Sequence, residues 1–194
     1  MSPKSEEQFE KIRQERSQSI VKAALKLFAE DGFANTTVSQ IAREANISKG
    51  LIYNYFNGKD HLLRAVIQEG FKKMPLDFEA PKTEDEAREK LELLLNNLQE
   101  SALTDRIFWK FYAELLLQLI RDTKLSARYE EEFNLYIQVF VTLLDKMNYA
   151  DPEENGRILA AQLDGILLHG LYFKDYPIEQ VFEKIKNQYL HTSS

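Results

Sequence analysis

Residues 36–60 read TTVSQIAREANISKGLIYNYFNGKD, two short helical patterns joined by a tight bend and followed by an aromatic, basic edge. Thr36 or Thr37 offers a cap for the first helix, on which Val38, Ile41, Ala42 and Ala45 share one face. Asn46 suits the left-handed conformation that a tight bend needs. Ile47 packs just before Ser48, the expected cap of a helix over 48–56 whose inner face is Ile52 and Phe56. Small Ala42 and Ala45 stand where the two helices must approach closely.

A helix-turn-helix needs a second helix with one face free of core duty, because that face enters a DNA groove. Lys49, Gly50, Tyr53 and Asn54 have no core role in this pattern. Lys49 can donate to guanine or phosphate, and Asn54 can pair with an adenine edge. Tyr53 offers a hydroxyl and a ring, and Gly50 would admit a close approach at a helix-propensity cost of about 1 kcal/mol. Thr37 and Ser39, at the start of one helix, and Tyr55 and Lys59, after the other, are the expected phosphate neighbours.

The flanks complete a small domain. A first helix over about 10–30 carries Ile20, Ala24, Leu27 and Phe28 on one stripe and stops at Asp31-Gly32. Asn57-Gly58 breaks the chain, and a fourth helix starts near Lys59, buries Leu62, Leu63, Val66 and Ile67, and stops before Pro75. A linker over 75–83 leads to further helices expected over about 84–100, 103–121, 124–147, 153–173 and 177–190. The fold class is therefore all-α, about nine helices in two domains, 10–73 and 74–194.

Charge divides the same way. Residues 11–59 hold eight Lys or Arg against four acids, whereas the whole chain of 194 residues has a net charge of −6. A basic module attached to an acidic one still attracts phosphate locally, since charges beyond roughly 10 Å are screened at physiological salt. No apolar run approaches a membrane span, and the first residues lack the apolar core of a signal peptide. The absence of cysteine suits a reducing compartment, so a cytoplasmic location is expected.

Residues 20–67 resemble the N-terminal domain of TetR-family transcriptional regulators. The matching elements are LFAEDGF closing the first helix, TTV and IAREA in the second, ISKG at the turn, IYNYF in the third, and the lysine, aspartate and paired leucines opening the fourth. The resemblance implies phosphate contacts at Thr37, Tyr55 and Lys59, and a groove-facing set of Ser48, Lys49, Gly50, Tyr53 and Asn54. Leu51 departs from a frequent threonine and Asn54 from a common histidine, so no operator sequence carries over. The resemblance also implies a helical C-terminal domain with an inducer pocket and a dimer interface on its last two helices.

The later residues agree in outline. Leu159, Leu163, Ile166, Leu167 and Gly170, with Ile178, Val181, Phe182 and Ile185, form apolar faces expected at a dimer interface, with a monomer core as the alternative. Phe108, Trp109, Tyr112, Leu116, Phe133, Tyr136, Ile137, Phe140, His169 and Phe173 are the candidate lining of a site for an apolar or amphipathic small molecule, against the alternative of a packed core.

Other chemistry has no foothold. His61, His169 and His191 lack metal-ligand spacing, no glycine-rich phosphate loop occurs, and no serine has a hydrolase setting. Neither a metal, a cofactor nor enzymatic activity is expected. The sequence thus reads as a ligand-responsive repressor that binds a palindromic double-stranded operator as a homodimer. The alternatives are an activator or a regulator without an inducer, or a helical adaptor that no longer binds DNA.

Overall fold

The computed structural model describes residues 6–71 and 80–191, and all regular structure among them is helical. The chain divides into two units at 70/71. The expected stop before Pro75 and most of the linker lie outside the described residues.

The first unit contains α1 (Glu6–Asp31), α2 (Val38–Glu44), α3 (Lys49–Ile52) and α4 (Lys59–Phe71). Ile20, Ala24 and Phe28 of α1, Ile41 and Ala42 of α2, Ile52 of α3, Phe56 after it, and Leu62, Leu63, Val66 and Ile67 of α4 are all buried and supply the apolar interior of this unit. Gly32 ends α1 at φ 78° and its N–H donates to the Phe28 carbonyl, the left-handed stop that glycine adopts without penalty. Thr36 is buried, and its hydroxyl donates to the Gly32 carbonyl at 2.8 Å, so capping falls to Thr37. There Thr37 and Gln40 exchange bonds in a capping box.

The bend after α2 is a Schellman turn. Asn46 sits at φ 54°, its N–H donates to Arg43, and the N–H of Ile47 reaches back to Ala42. Ser48 then caps α3 by accepting from the Leu51 N–H at 3.2 Å. The α-helix stops at Ile52, earlier than the expected 56. The chain continues helically through tighter bonds from Asn54 to Leu51 and from Tyr55 to Ile52.

The second unit contains α5 (Glu84–Thr104), α6 (Arg106–Arg121), α7 (Thr123–Lys146), α8 (Pro152–Tyr172) and α9 (Ile178–Leu190). α8 packs along α7 and α6, and α9 lies against α5. Gly156 fixes the α7–α8 crossing: a Cβ there would lie 2.6 Å from Val141 Cγ2 and 2.9 Å from the Val141 nitrogen. Two helix ends are tied to distant arginines. Arg106 donates to the Gly170 and Leu171 carbonyls at the end of α8, and Arg88 donates to the Leu190 carbonyl at the end of α9. A cation at a helix C-terminus complements the carbonyl dipoles it bonds.

Candidate nucleic-acid interface and regulatory site

α3 is held by one buried residue, Ile52, with Phe56 following in the next turn. Ser48, Lys49, Gly50, Tyr53 and Asn54 are all exposed, so the five groove-facing candidates share the surface of one short segment. Tyr53 leaves 52% of its area in solvent, a large aromatic exposure for a residue on a well-packed unit. Around Gly50, a Cβ would meet nothing within 4 Å. Nothing among the described residues therefore requires glycine at that position.

Thr37 and Ser39 are exposed at the start of α2, and Tyr55 is half-buried. The Thr37 hydroxyl already serves the cap, at 2.6 Å from Gln40 Oε1. Lys59 has a different duty. Its Nζ donates to the carbonyls of Phe33 at 2.7 Å, Thr36 at 3.0 Å and Ala34 at 3.1 Å, and lies 4.4 Å from the Phe33 ring centroid. An ammonium has three donors, and all are taken. Burial lowers its pKa, with the Asp60 charge opposing. Through these bonds Lys59, expected beside a phosphate, clamps the α1–α2 loop to the start of α4. The favourable bonds to loop carbonyls also explain a lysine at a helix N-terminus, where the dipole disfavours it.

Two patterns now meet known proteins. The family pattern for bacterial regulatory proteins of the tetR family matches residues 20–66, and the tetracyclin repressor-like C-terminal domain matches residues 83–185, more than half of the chain. The chain belongs to the TetR family. It is accordingly a DNA-binding transcriptional regulator, not an enzyme. Members of this family bind DNA and usually act as dimers.

The HTH-type transcriptional regulator HbdR of Aromatoleum sp. is 55% identical over 53 residues, a match covering 27% of this chain and 23% of that protein. BetI 2 of Chromohalobacter salexigens is 27% identical over 164 residues, covering 80% of this chain and 77% of that protein. In fold, the chain is similar to the fatty acid degradation regulator FadR of Bacillus halodurans, with TM-score 0.74, 22% identity, and coverage of 91% and 99% of the two chains.

In the second TetR-family unit, the ten candidate lining residues separate. Phe108, Trp109, Tyr112, Tyr136 and Phe140 are buried, with Leu116, Phe133 and Ile137 at intermediate exposure. The rings fill space with one another: Phe108 and Trp109 lie 5.0 Å apart, Trp109 and Tyr112 5.6 Å, Tyr112 and Phe133 6.1 Å. His169 and Phe173 do not join them. Both are exposed at the end of α8, where they cluster with Tyr172 and Tyr176, and their place in the buried lining is corrected. An open groove of about 380 Å³ on the outer face of α7, lined by Glu130, Glu131 and Leu135 among others, is separate from the aromatic cluster.

The sequence reading missed the polar centre of this cluster. Tyr112 donates its hydroxyl to Asp164 Oδ1 at 3.0 Å, joining α6 to the middle of α8. Burial pushes the Asp164 carboxyl up to about 6, against the stabilising Tyr112 bond. Burial, then the Asp164 charge, raises the pKa of both Tyr112 and Tyr136 well above the usual phenol value. An acid within an otherwise apolar helical run was the available signal.

The residues expected at the dimer interface divide by exposure. Leu159, Leu163, Ile166, Leu167, Phe182 and Ile185 are buried within one chain, and Gly170, Ile178 and Val181 are half-buried. A Cβ on Gly170 would lie 2.9 Å from Ile178 Cδ1, so this glycine serves the α8–α9 contact of its own subunit. The outward face of α8 is a different apolar stripe: Ile158, Ala161, Gly165, Leu168 and Tyr172. Ile158 is 49% exposed and Tyr172 81%, and a Cβ on Gly165 would meet nothing.

Proposed function

We propose that this TetR-family regulator is a ligand-responsive repressor that binds a palindromic operator as a homodimer, with residues 10–73 reading DNA and 74–194 carrying the regulatory and dimerisation functions. Lys49, Gly50, Tyr53 and Asn54, with Ser48 at the cap, face base edges, while Thr37, Ser39 and Tyr55 face phosphate. The single observation that carries the assignment is Gly50. Its exposed position in α3 has open space where a side chain would stand, so close approach from outside is the use left for it.

The outward α8 stripe supports pairing of two copies. Large Ile158, Leu168 and Tyr172 flank small Ala161 and Gly165 at three- and four-residue steps, a face that lets two helices approach closely at its middle. One α3 reads few bases, and a symmetric pair reads two half-sites a helical turn or a multiple apart. A small molecule in the α6–α8 aromatic cluster regulates by binding the non-operator arrangement better, since equal affinity for both would shift nothing. The described helices include none long and apolar enough to cross a membrane, which is consistent with the cytoplasmic location expected of a protein acting on DNA.

Selection of bound duplexes from random DNA tests the reading. A palindrome with half-sites spaced for a dimer is expected. Asn54→Ala should relax preference at one base pair of each half-site, by roughly 1–3 kcal/mol. Absence of an enriched sequence, or enrichment that ignores both Asn54 and Lys49 substitutions, would refute it.

A further inference from the structure

The regulatory unit places a carboxylate where apolar packing would be expected. Asp164 stands mid-way along α8, next to the buried Leu163 and one turn before the buried Leu167. Its Oδ1 meets the hydroxyl of Tyr112, itself only 4% exposed, so the acid reaches into the layer between α8 and α6. Around Tyr112 stand the rings of Trp109, Phe108 and Phe133, and Tyr136 of α7 is the other titratable group that senses the acid.

No lysine, arginine or histidine neutralises Asp164 among the described residues. One carboxylate has about four acceptor positions, and Tyr112 occupies one of those on Asp164. A partly desolvated carboxylate without a cation is costly, and an apolar residue of similar size would suit the packing better. The site therefore offers a carboxylate and aromatic faces, with no cation paired to that carboxylate among the described residues.

We propose that the α6–α8 cluster of the regulatory unit takes an organic ammonium ion, with Asp164 as its counter-charge and the Tyr112, Trp109 and Phe133 rings as its walls. This rests on the ligand-responsive reading above and names the chemical class of the ligand. Ring faces attract cations through their quadrupole, and the attraction grows when the cation is desolvated. Phe133 is the half-exposed ring of the group, so the cluster reaches the surface on its side. A fatty carboxylate would meet a second carboxylate and is excluded by the same charge.

Trp109 is the one tryptophan of the chain and touches Tyr112, so its fluorescence reports occupancy directly. The experiment titrates the full chain, without DNA, with benzyltrimethylammonium, benzylammonium, the neutral carbon isostere neopentylbenzene, and octanoate. Saturable change with at least one of the two cations is expected, at least about tenfold tighter than with the isostere or octanoate. Asp164→Asn, which preserves shape, should weaken the cation by about tenfold or more and leave the isostere unchanged.

A measurement on the unaltered protein covers the case of a variant that misfolds. With the Asp164 carboxyl at about 6, roughly a tenth of it is ionised at pH 5, so affinity for the permanently charged benzyltrimethylammonium should be about tenfold weaker at pH 5 than at pH 8. Tyr112 and Tyr136 stay neutral throughout that range, because both are raised above the usual phenol value. No saturable response to either cation, equal affinity for the isostere, tighter binding of octanoate, or a flat pH profile would each overturn the proposal. The titration contains no operator, so its outcome is independent of the half-site selection that tests DNA recognition.

Discussion

Replacing Lys59 by methionine separates two roles that the sequence alone merges. The stem is kept and only the ammonium is lost, leaving the carbonyls of Phe33, Ala34 and Thr36 without their shared donor. A hydrogen bond to a charged group contributes about 1.5–3 kcal/mol when buried. Here two of the three acceptors are part-buried and the third is exposed, so water recovers much of the loss. The net cost should be about 2 kcal/mol, including the lost contact with the Phe33 ring.

In urea, with a slope of roughly 1–3 kcal/mol per molar, that cost lowers the midpoint by about 1 M. Far-UV circular dichroism follows the helices, and Trp109 fluorescence reports the other unit as an internal control. Lys59→Arg keeps charge but not the compact three-donor geometry, and should recover part of the stability. Operator affinity measured against salt supplies the second arm. A direct phosphate contact adds about 0.9 to the magnitude of the log–log slope, and the clamp role predicts no such change. Unchanged stability together with a slope reduced by about one would refute the clamp and restore the phosphate contact.

Gly50→Ala should stabilise the fold by up to about 1 kcal/mol, since the added methyl meets nothing, while weakening operator binding; equal or tighter binding would remove the close-approach argument. Asp164 has a folded-state pKa of about 6 against 3.8 for the free group, so its contribution favours folding at acid pH and is lost as pH rises through 6. Stability attributable to it should fall by on the order of 3 kcal/mol between about pH 4 and pH 7, and Asp164→Asn should flatten that profile in urea titrations across the range. The two faces of α8 should also answer differently. Leu163→Ala should cost about 2–5 kcal/mol of stability. Leu168→Asp, by contrast, should leave folding intact and yield monomers in analytical ultracentrifugation.

What the sequence made legible was local. Asp31-Gly32, a threonine cap at Thr36 or Thr37, Asn46 and Ser48 each act within five residues of themselves, so their chemistry could be read in order along the chain. Lys59 could not, because its acceptors lie 23 to 26 positions earlier and only the folded loop collects them. The outward stripe of α8 was hidden for another reason. α8 is apolar on two faces, and helical periodicity finds stripes without saying which one a neighbouring helix covers. Packing of α7 and α6 gave the inner stripe to Leu159, Leu163, Ile166 and Leu167, and left Ile158, Ala161, Gly165 and Leu168 outside. Asp164 was passed over because one acid in an amphipathic run resembles an ordinary solvated position; the Tyr112 bond that turns it inward is tertiary.

α8 thus carries three neighbouring surfaces within four turns: an inner leucine layer, the outward stripe, and Asp164 between them. Residues 161, 164 and 168 stand three and four positions apart, so the acid lies one turn from both Ala161 and Leu168. On the readings proposed above, a ligand at Asp164 and a second subunit on the stripe act on the same turn of helix. Their free energies are then coupled, and the coupling is reciprocal: whatever factor the ligand imposes on association, association imposes on ligand affinity. The apparent sensitivity of such a regulator would depend on its own concentration in the cell.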